Sequence, residues 1–129
     1  MQETLLSPYW YRIARLHPRL RAHVSVRMQR TRGQAWYVLH NQATGRHHRV
    51  NAQAFELVGR LDGRLTVDEI WQSLLNRQGD AAPSQNDVIR ILGQLTDAGL
   101  VQAEVTPDVR QILHVGEERQ RKEDRKSVV

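Results

Sequence analysis

The chain has 129 residues, a net charge of +5 and no cysteine. That length supports one domain with tails and a core that needs no staples, and the lack of cysteine excludes a disulfide framework, a thiolate metal site and a cysteine nucleophile. No apolar run approaches the roughly 18–20 residues that span a bilayer, and the start MQETLLSPYW lacks the basic and apolar regions of a signal peptide.

The charge is unevenly spread. Residues 1–50 carry nine arginines and one glutamate, residues 51–105 four arginines and eight acids, and residues 106–129 six basic and five acidic side chains. The N-terminal half therefore offers a basic surface to an acidic peptide, a nucleic acid or an anionic lipid, or simply to solvent.

In chain order, Leu5–Leu20 opens with Ser7-Pro8, a helix start, and is stopped by Pro18. Tyr9, Ile13 and Leu16 recur at helical spacing. The spacing predicts a short amphipathic segment packed on the domain or on a dimer partner. Tyr9, Trp10 and Tyr11 beside Arg12 and Arg15 also suit a membrane surface. Arg21–Arg30 alternates, with Val24, Val26 and Met28 on one side and His23, Ser25, Arg27 and Gln29 on the other. Thr31-Arg32-Gly33 makes a tight turn, Gln34–Asn41 a second strand, Gly45 closes the next turn, and Arg46–Val50 is a third strand. The expectation is a three-stranded antiparallel meander with one buried face. Its third strand is short, polar and basic, as sheet edges are.

Three helices follow. Asn51 caps Ala52–Leu61, with Phe55, Val58 and Leu61 on one face, and Asp62-Gly63 ends it. Thr66–Glu69 is a capping box that opens the second helix, whose core face is Ile70, Trp71, Leu74 and Leu75, and Gly79 ends it. Ser84–Asp87 opens the third, with the stripe Val88, Ile91, Leu92 and Leu95 and a stop at Gly99. Leu100–Val105 reads as extended, Pro107 breaks it, and Val109, Ile112 and Leu113 permit another helical turn or two. Glu117–Lys126 is almost wholly charged, either a solvated helix extension or disordered. The fold class is α+β: a three-stranded antiparallel sheet followed by three helices, winged-helix-like. The divisions are an amphipathic segment over 1–20, the domain over 21–105 and a charged tail or linker over 106–129.

Catalytic signatures such as HExxH, GxSxG, the P-loop and GxGxxG do not occur. His40 lies opposite one of His47 and His48 in the hairpin. Those two adjacent histidines point to opposite faces of a strand, and no acid stands between Arg21 and Arg49 to complete a metal site. No catalytic residue, metal or cofactor is expected. The third helix carries only Arg90 against Asp87 and Asp97, which argues against groove reading of DNA. The sheet also precedes the helices, where a usual winged helix puts its wing after them.

The run WYVLHN, GRHHRVN, AFELVGRLDG, TVDEIWQSLL and VIRILGQLTDAGLV resembles the PqqD-like family, the peptide-recognition domains of pathways that make and modify ribosomal peptides. The resemblance covers about residues 21–101. With LLSPYWYRIARLHPRLR it is similar to a narrower group, in which such a domain begins a site-2-type membrane zinc metalloprotease. The resemblance implies a cytoplasmic binding module, at the inner face of the membrane where it is part of a longer chain. It implies a leader or partner peptide added as a strand to the third strand and lying against the third helix. Carried onto this chain, the implied site is Arg46, His47, His48, Arg49 and Val50 with Ile89, Arg90, Gly93 and Thr96. Arg46, Arg49 and Arg90 suit acidic side chains, and Gly93 suits close approach of a backbone. Two other readings remain: a nucleic-acid-binding winged helix, and a dimerisation or regulatory domain that pairs the same edge with its own copy.

Overall fold

The computed structural model describes residues 7–103 and 109–113. The charged run Glu117–Lys126, Leu5 at the head of the first segment and the break at Pro107 lie outside them. The described chain runs α1 (Trp10–Ile13), β1 (Arg19–Leu20), β2 (Val24–Thr31), β3 (Gln34–Asn41), β4 (His47–Asn51), α2 (Ala52–Val58), α3 (Val67–Gln78), a 3-10 turn (Gly79–Ala81), α4 (Gln85–Asp97) and β5 (Val101–Gln102). Residues 109–113 are helical. The class is α+β, with β2, β3 and β4 forming an antiparallel sheet in that order.

The helix starts are where the capping chemistry puts them. The Asn51 side chain accepts from Ala54 N–H at 2.8 Å. Thr66 with Glu69, and Ser84 with Asp87, form reciprocal capping boxes. α2 stops at Val58, three residues short of Leu61, and the chain then turns through Asp62 and Gly63.

The first segment departs from its expected face. Only Trp10–Ile13 is helical, and the buried aromatic is Trp10, while Tyr9 stays 53% exposed. Trp10 Nε1 donates to Asp68 Oδ1 at 3.1 Å, and its ring meets Trp71 edge-on at 5.3 Å. The indole thus finds both an apolar wall and an acceptor on α3. Beyond Pro18 the chain is extended, and β1 pairs with β5 in a second, two-stranded sheet. The core joins Trp10 and Ile13 to Leu39, Leu57, Ile70, Leu74, Val88, Leu92, Leu95, Leu100, Val109 and Leu113.

The meander also differs in how much of it is covered. Val26 pairs with Leu39 and Met28 with Tyr37, so all four share one face. Leu39 is fully buried, yet Val26 is 42% and Met28 52% exposed. The core covers β3, β4 and the start of β2, where Val24 packs against it, but leaves β2 exposed from Val26 onward. Alternation identifies a face; it does not say how far the next layer extends over it.

Asn41 joins the sheet to the helices. It is buried, its Nδ2 donates to the Gly99 carbonyl at 2.7 Å, and its Oδ1 accepts from Ala43 and Thr44 N–H at 2.9 and 3.2 Å. Asn41→Ala removes all three bonds and leaves the half-buried Gly99 carbonyl without this donor, at a cost of about 2 kcal/mol. Met28→Ser on the uncovered face changes stability by no more than about 0.5 kcal/mol. Urea denaturation compares the two, and equal midpoints for both variants would refute this account of the joint.

Candidate functional site

The third strand of the sequence reading is β4, and among the described residues it is an edge: β3 pairs with it on one side and no strand pairs with it on the other. Its register follows from the turn, where Gly45 takes φ +77° and Asn41 N–H donates to the Arg46 carbonyl at 2.9 Å. Bonded and non-bonded pairs alternate along an antiparallel ladder. His40–His47 and Val38–Arg49 are therefore the non-bonded pairs. The backbone N–H and C=O of His47 and Arg49 turn away from β3, toward the open edge.

The two faces beside that edge differ in chemistry. On the outer face, His47 stacks on His40 with ring centroids 4.2 Å apart, and the Arg49 guanidinium lies 4.3 Å over the Trp36 ring. Ser25, Arg27, Val38, His40 and His47 line a shallow cavity of about 240 Å³ there. No aspartate or glutamate occurs on β2, β3 or β4, so this face has no internal counter-charge. On the inner face, Val50 is buried and His48 half-buried, and Tyr37 stacks on Phe55 of α2 at 4.0 Å. Burial holds the His48 imidazole below its ordinary pKa of 6.5.

The third helix is α4. Arg46 reaches its C-terminal end, where the guanidinium donates to the Asp97 carbonyl at 2.8 Å. Arg90 is 3.1 Å from Asp87 in an i,i+3 ion pair on the same helix. The Thr96 hydroxyl donates to the Leu92 carbonyl at 2.7 Å. Ile89 and Gly93 are buried, and they lie one helical turn apart on one flank. The backbone that comes close to Gly93 is the chain's own, because a β-carbon at 93 would overlap the Leu113 carbonyl. Glycine in a helix interior costs about 1 kcal/mol relative to alanine, and the contact with residue 113 is what requires it here.

Of the nine residues singled out in the sequence, the structure groups His47, His48, Arg49 and Val50 along one edge, with Arg46 between that edge and α4. Ile89 and Gly93 are buried on one flank of α4, with Gly93 against the Leu113 backbone, the Thr96 hydroxyl bonds back to the Leu92 carbonyl, and Arg90 turns to Asp87. Sequence reasoning missed Trp36 beneath Arg49, Asn41 at the joint, and residues 109–113 over Gly93. The hairpin register would have found Trp36, since counting back from the Gly45 turn puts it diagonally beside Arg49. Among the described residues, no group of three His, Cys, Asp or Glu side chains converges as a metal site, and no helix is long and apolar enough to cross a membrane.

Comparison with known families matches residues 37–101, half of the chain, to the family described as coenzyme PQQ synthesis protein D (PqqD). No curated protein and no solved structure matched the chain. The matched stretch begins in β3 and ends in β5, and so contains both the edge and α4.

The His48 environment has a pH consequence. Its folded pKa is depressed, so as pH falls through the ordinary histidine range the unfolded chain takes up a proton that the folded chain does not. Stability therefore drops on acidification from about pH 7 to pH 5. His48→Gln, which cannot titrate, loses less over the same interval. Urea midpoints at both pH values test this, and parallel losses in the two proteins would refute it.

Proposed function

The chain belongs to the PqqD family, and on that premise we propose that it is a binding module, not an enzyme, that captures an extended peptide by strand addition at β4. The family reading is one of peptide-binding partner domains in the maturation of ribosomally made peptides. The single observation that carries the finer reading is the open edge. Among the described residues, the outward N–H and C=O groups of His47 and Arg49 have no strand partner and lie at the spacing of a strand ladder, and an added strand satisfies them.

The residues beside the edge set what the strand carries. Side chains alternate across it. Those on the outer face come to His47 and Arg49, where no acid competes, and suit aspartate or glutamate. Those on the inner face come to His48 and Val50, and suit apolar groups. Arg46 marks the end of the edge nearest α4. Ile89, Arg90, Gly93 and Thr96 are the helix side of the same proposal. The N-terminal run that includes Trp10 and Tyr11 extends it further: the module serves at the head of a site-2-type membrane protease, on the cytoplasmic side.

Backbone amide titration with synthetic peptides from the N-terminal regions of short open reading frames beside the gene tests the reading. Strand addition shifts His47, Arg49 and their neighbours on β4. An edge already paired with a second copy, unmoved by every peptide, would replace peptide capture by self-association. A binding that collapses with salt and is shared by DNA would replace it by nucleic-acid binding. Arg49→Pro is the sharper variant, because it deletes an outward donor and leaves the bonds to β3 in place. It weakens peptide binding at least about tenfold beyond Arg49→Ala, the equivalent of about 1.4 kcal/mol for one hydrogen bond. Equal affinities for the two variants would refute strand addition at this position.

A further inference from the structure

Residues 109–113 read Val-Arg-Gln-Ile-Leu, and the structure makes them one amphipathic helical piece. Val109 is 4% and Leu113 5% exposed, Ile112 packs against the core, and Arg110 and Gln111 face solvent. Their seat includes the flank of α4 that carries Gly93, where the missing side chain lets the Leu113 backbone in. Among the described residues, no hydrogen bond or ion pair ties 109–113 to any other element. Among those residues the contact is apolar and steric.

Among the described residues these five are held by the burial of three apolar side chains, without directional bonds like the one from Trp10 to Asp68 of α3 or from Asn41 to the Gly99 carbonyl. Apolar grooves that accept a short helix are filled at i, i+3 and i+4, which are Val109, Ile112 and Leu113 here. We propose that the Gly93 flank of α4 is an exchangeable docking groove for a short amphipathic helical segment with apolar side chains at i, i+3 and i+4, filled in cis by residues 109–113. A partner with that pattern gains α4 only by displacing them. The groove itself stands without the peptide-capture reading. Only one consequence rests on that reading: a peptide that lies on β4 and continues onto α4 competes with the chain's own segment.

The test uses the full chain and a synthetic peptide with the sequence of residues 106–116, TPDVRQILHVG. Leu113→Asp and, as a second variant at a half-buried position, Ile112→Asp release the segment in cis. Adding the peptide in trans then moves the amides of Ile89, Gly93 and Thr96 back toward their positions in the unsubstituted chain, in a saturable way. The unsubstituted chain, already filled, responds to far higher peptide concentrations only. Gly93→Ala blocks the seat to cis and trans segments alike, so the peptide leaves its α4 amides unmoved. The proposal fails if the α4 amides of both released variants ignore the peptide, or if Gly93→Ala binds it as well as they do. For any peptide that binds β4 and touches α4, release of the segment tightens binding on the order of tenfold if the groove is free one-tenth of the time. An unchanged affinity removes the competition and leaves strand addition standing. Failure of every β4 peptide removes strand addition and leaves the groove standing.

Discussion

Two side-chain donors from the β3–β4 turn hold the last carbonyl of α4 and the Gly99 carbonyl just beyond its C-cap, and the placing of the sheet edge depends on them. Asn41 Nδ2 takes the Gly99 carbonyl and the Arg46 guanidinium takes the Asp97 carbonyl, at 2.7 and 2.8 Å. A helix leaves its final carbonyls without partners inside the helix, and a cation near that end also meets the negative end of the helix dipole. The turn could have capped any acceptor of suitable geometry. Because it caps these, β4 begins beside the end of α4, and the open edge and the helix are fixed in one frame. Asn41 can do this because its oxygen is occupied at the same time by the turn amides of Ala43 and Thr44. One buried side chain shapes the hairpin and docks it.

On the proposed reading, the edge and the α4 flank recognise by different physics. The edge offers backbone groups, which discriminate little among sequences. Its outer cations are exposed, and exposed ion pairs are worth about 0–1 kcal/mol each. Arg49 is better placed than most, since its guanidinium is already held over Trp36 and loses less freedom when it meets a carboxylate. Selectivity of any size has to come from the inner face, where Val50 and His48 are shielded from water, or from the α4 flank, where the missing side chain at Gly93 sets a steric limit. The flank excludes anything that cannot bring a backbone within van der Waals contact of the helix.

Much of this was legible in the sequence because local chemistry decided it. The capping boxes at Thr66 and Ser84, the Asn51 cap, the Gly45 turn and the alternation of β3 each depend on residues within a few positions of one another. The polar, basic third strand announced an edge for the same reason. What escaped depends on distance along the chain. Asn41 to Gly99 spans 58 residues, and nothing near Asn41 says that its amide will find a helix end. Gly93 signalled a close approach but not its partner, which lies twenty residues later across a proline. Val24, Val26 and Met28 alternate as a buried strand does, yet only Val24 packs against the core, because the covering layer ends near the start of β2. Tyr9 and Trp10 compete for the same inward position in sequence, and the choice falls to Trp10 because Asp68 and Trp71 of α3 wait there.

The charge on the edge bears on what it will not bind. An open strand is a template for any extended chain, including another copy of itself. Two copies of β4 paired antiparallel would bring Arg49 of each toward the cationic face of the other, with no acid anywhere on the three strands to separate them. Like charges opposite one another across a pair of strands destabilise it. An acidic strand meets the reverse situation. The shortness of β4 and its cations thus weigh against self-pairing and in favour of an acidic guest. One local feature, a five-residue strand with Arg49 and His47 on its exposed side, limits the first and selects for the second.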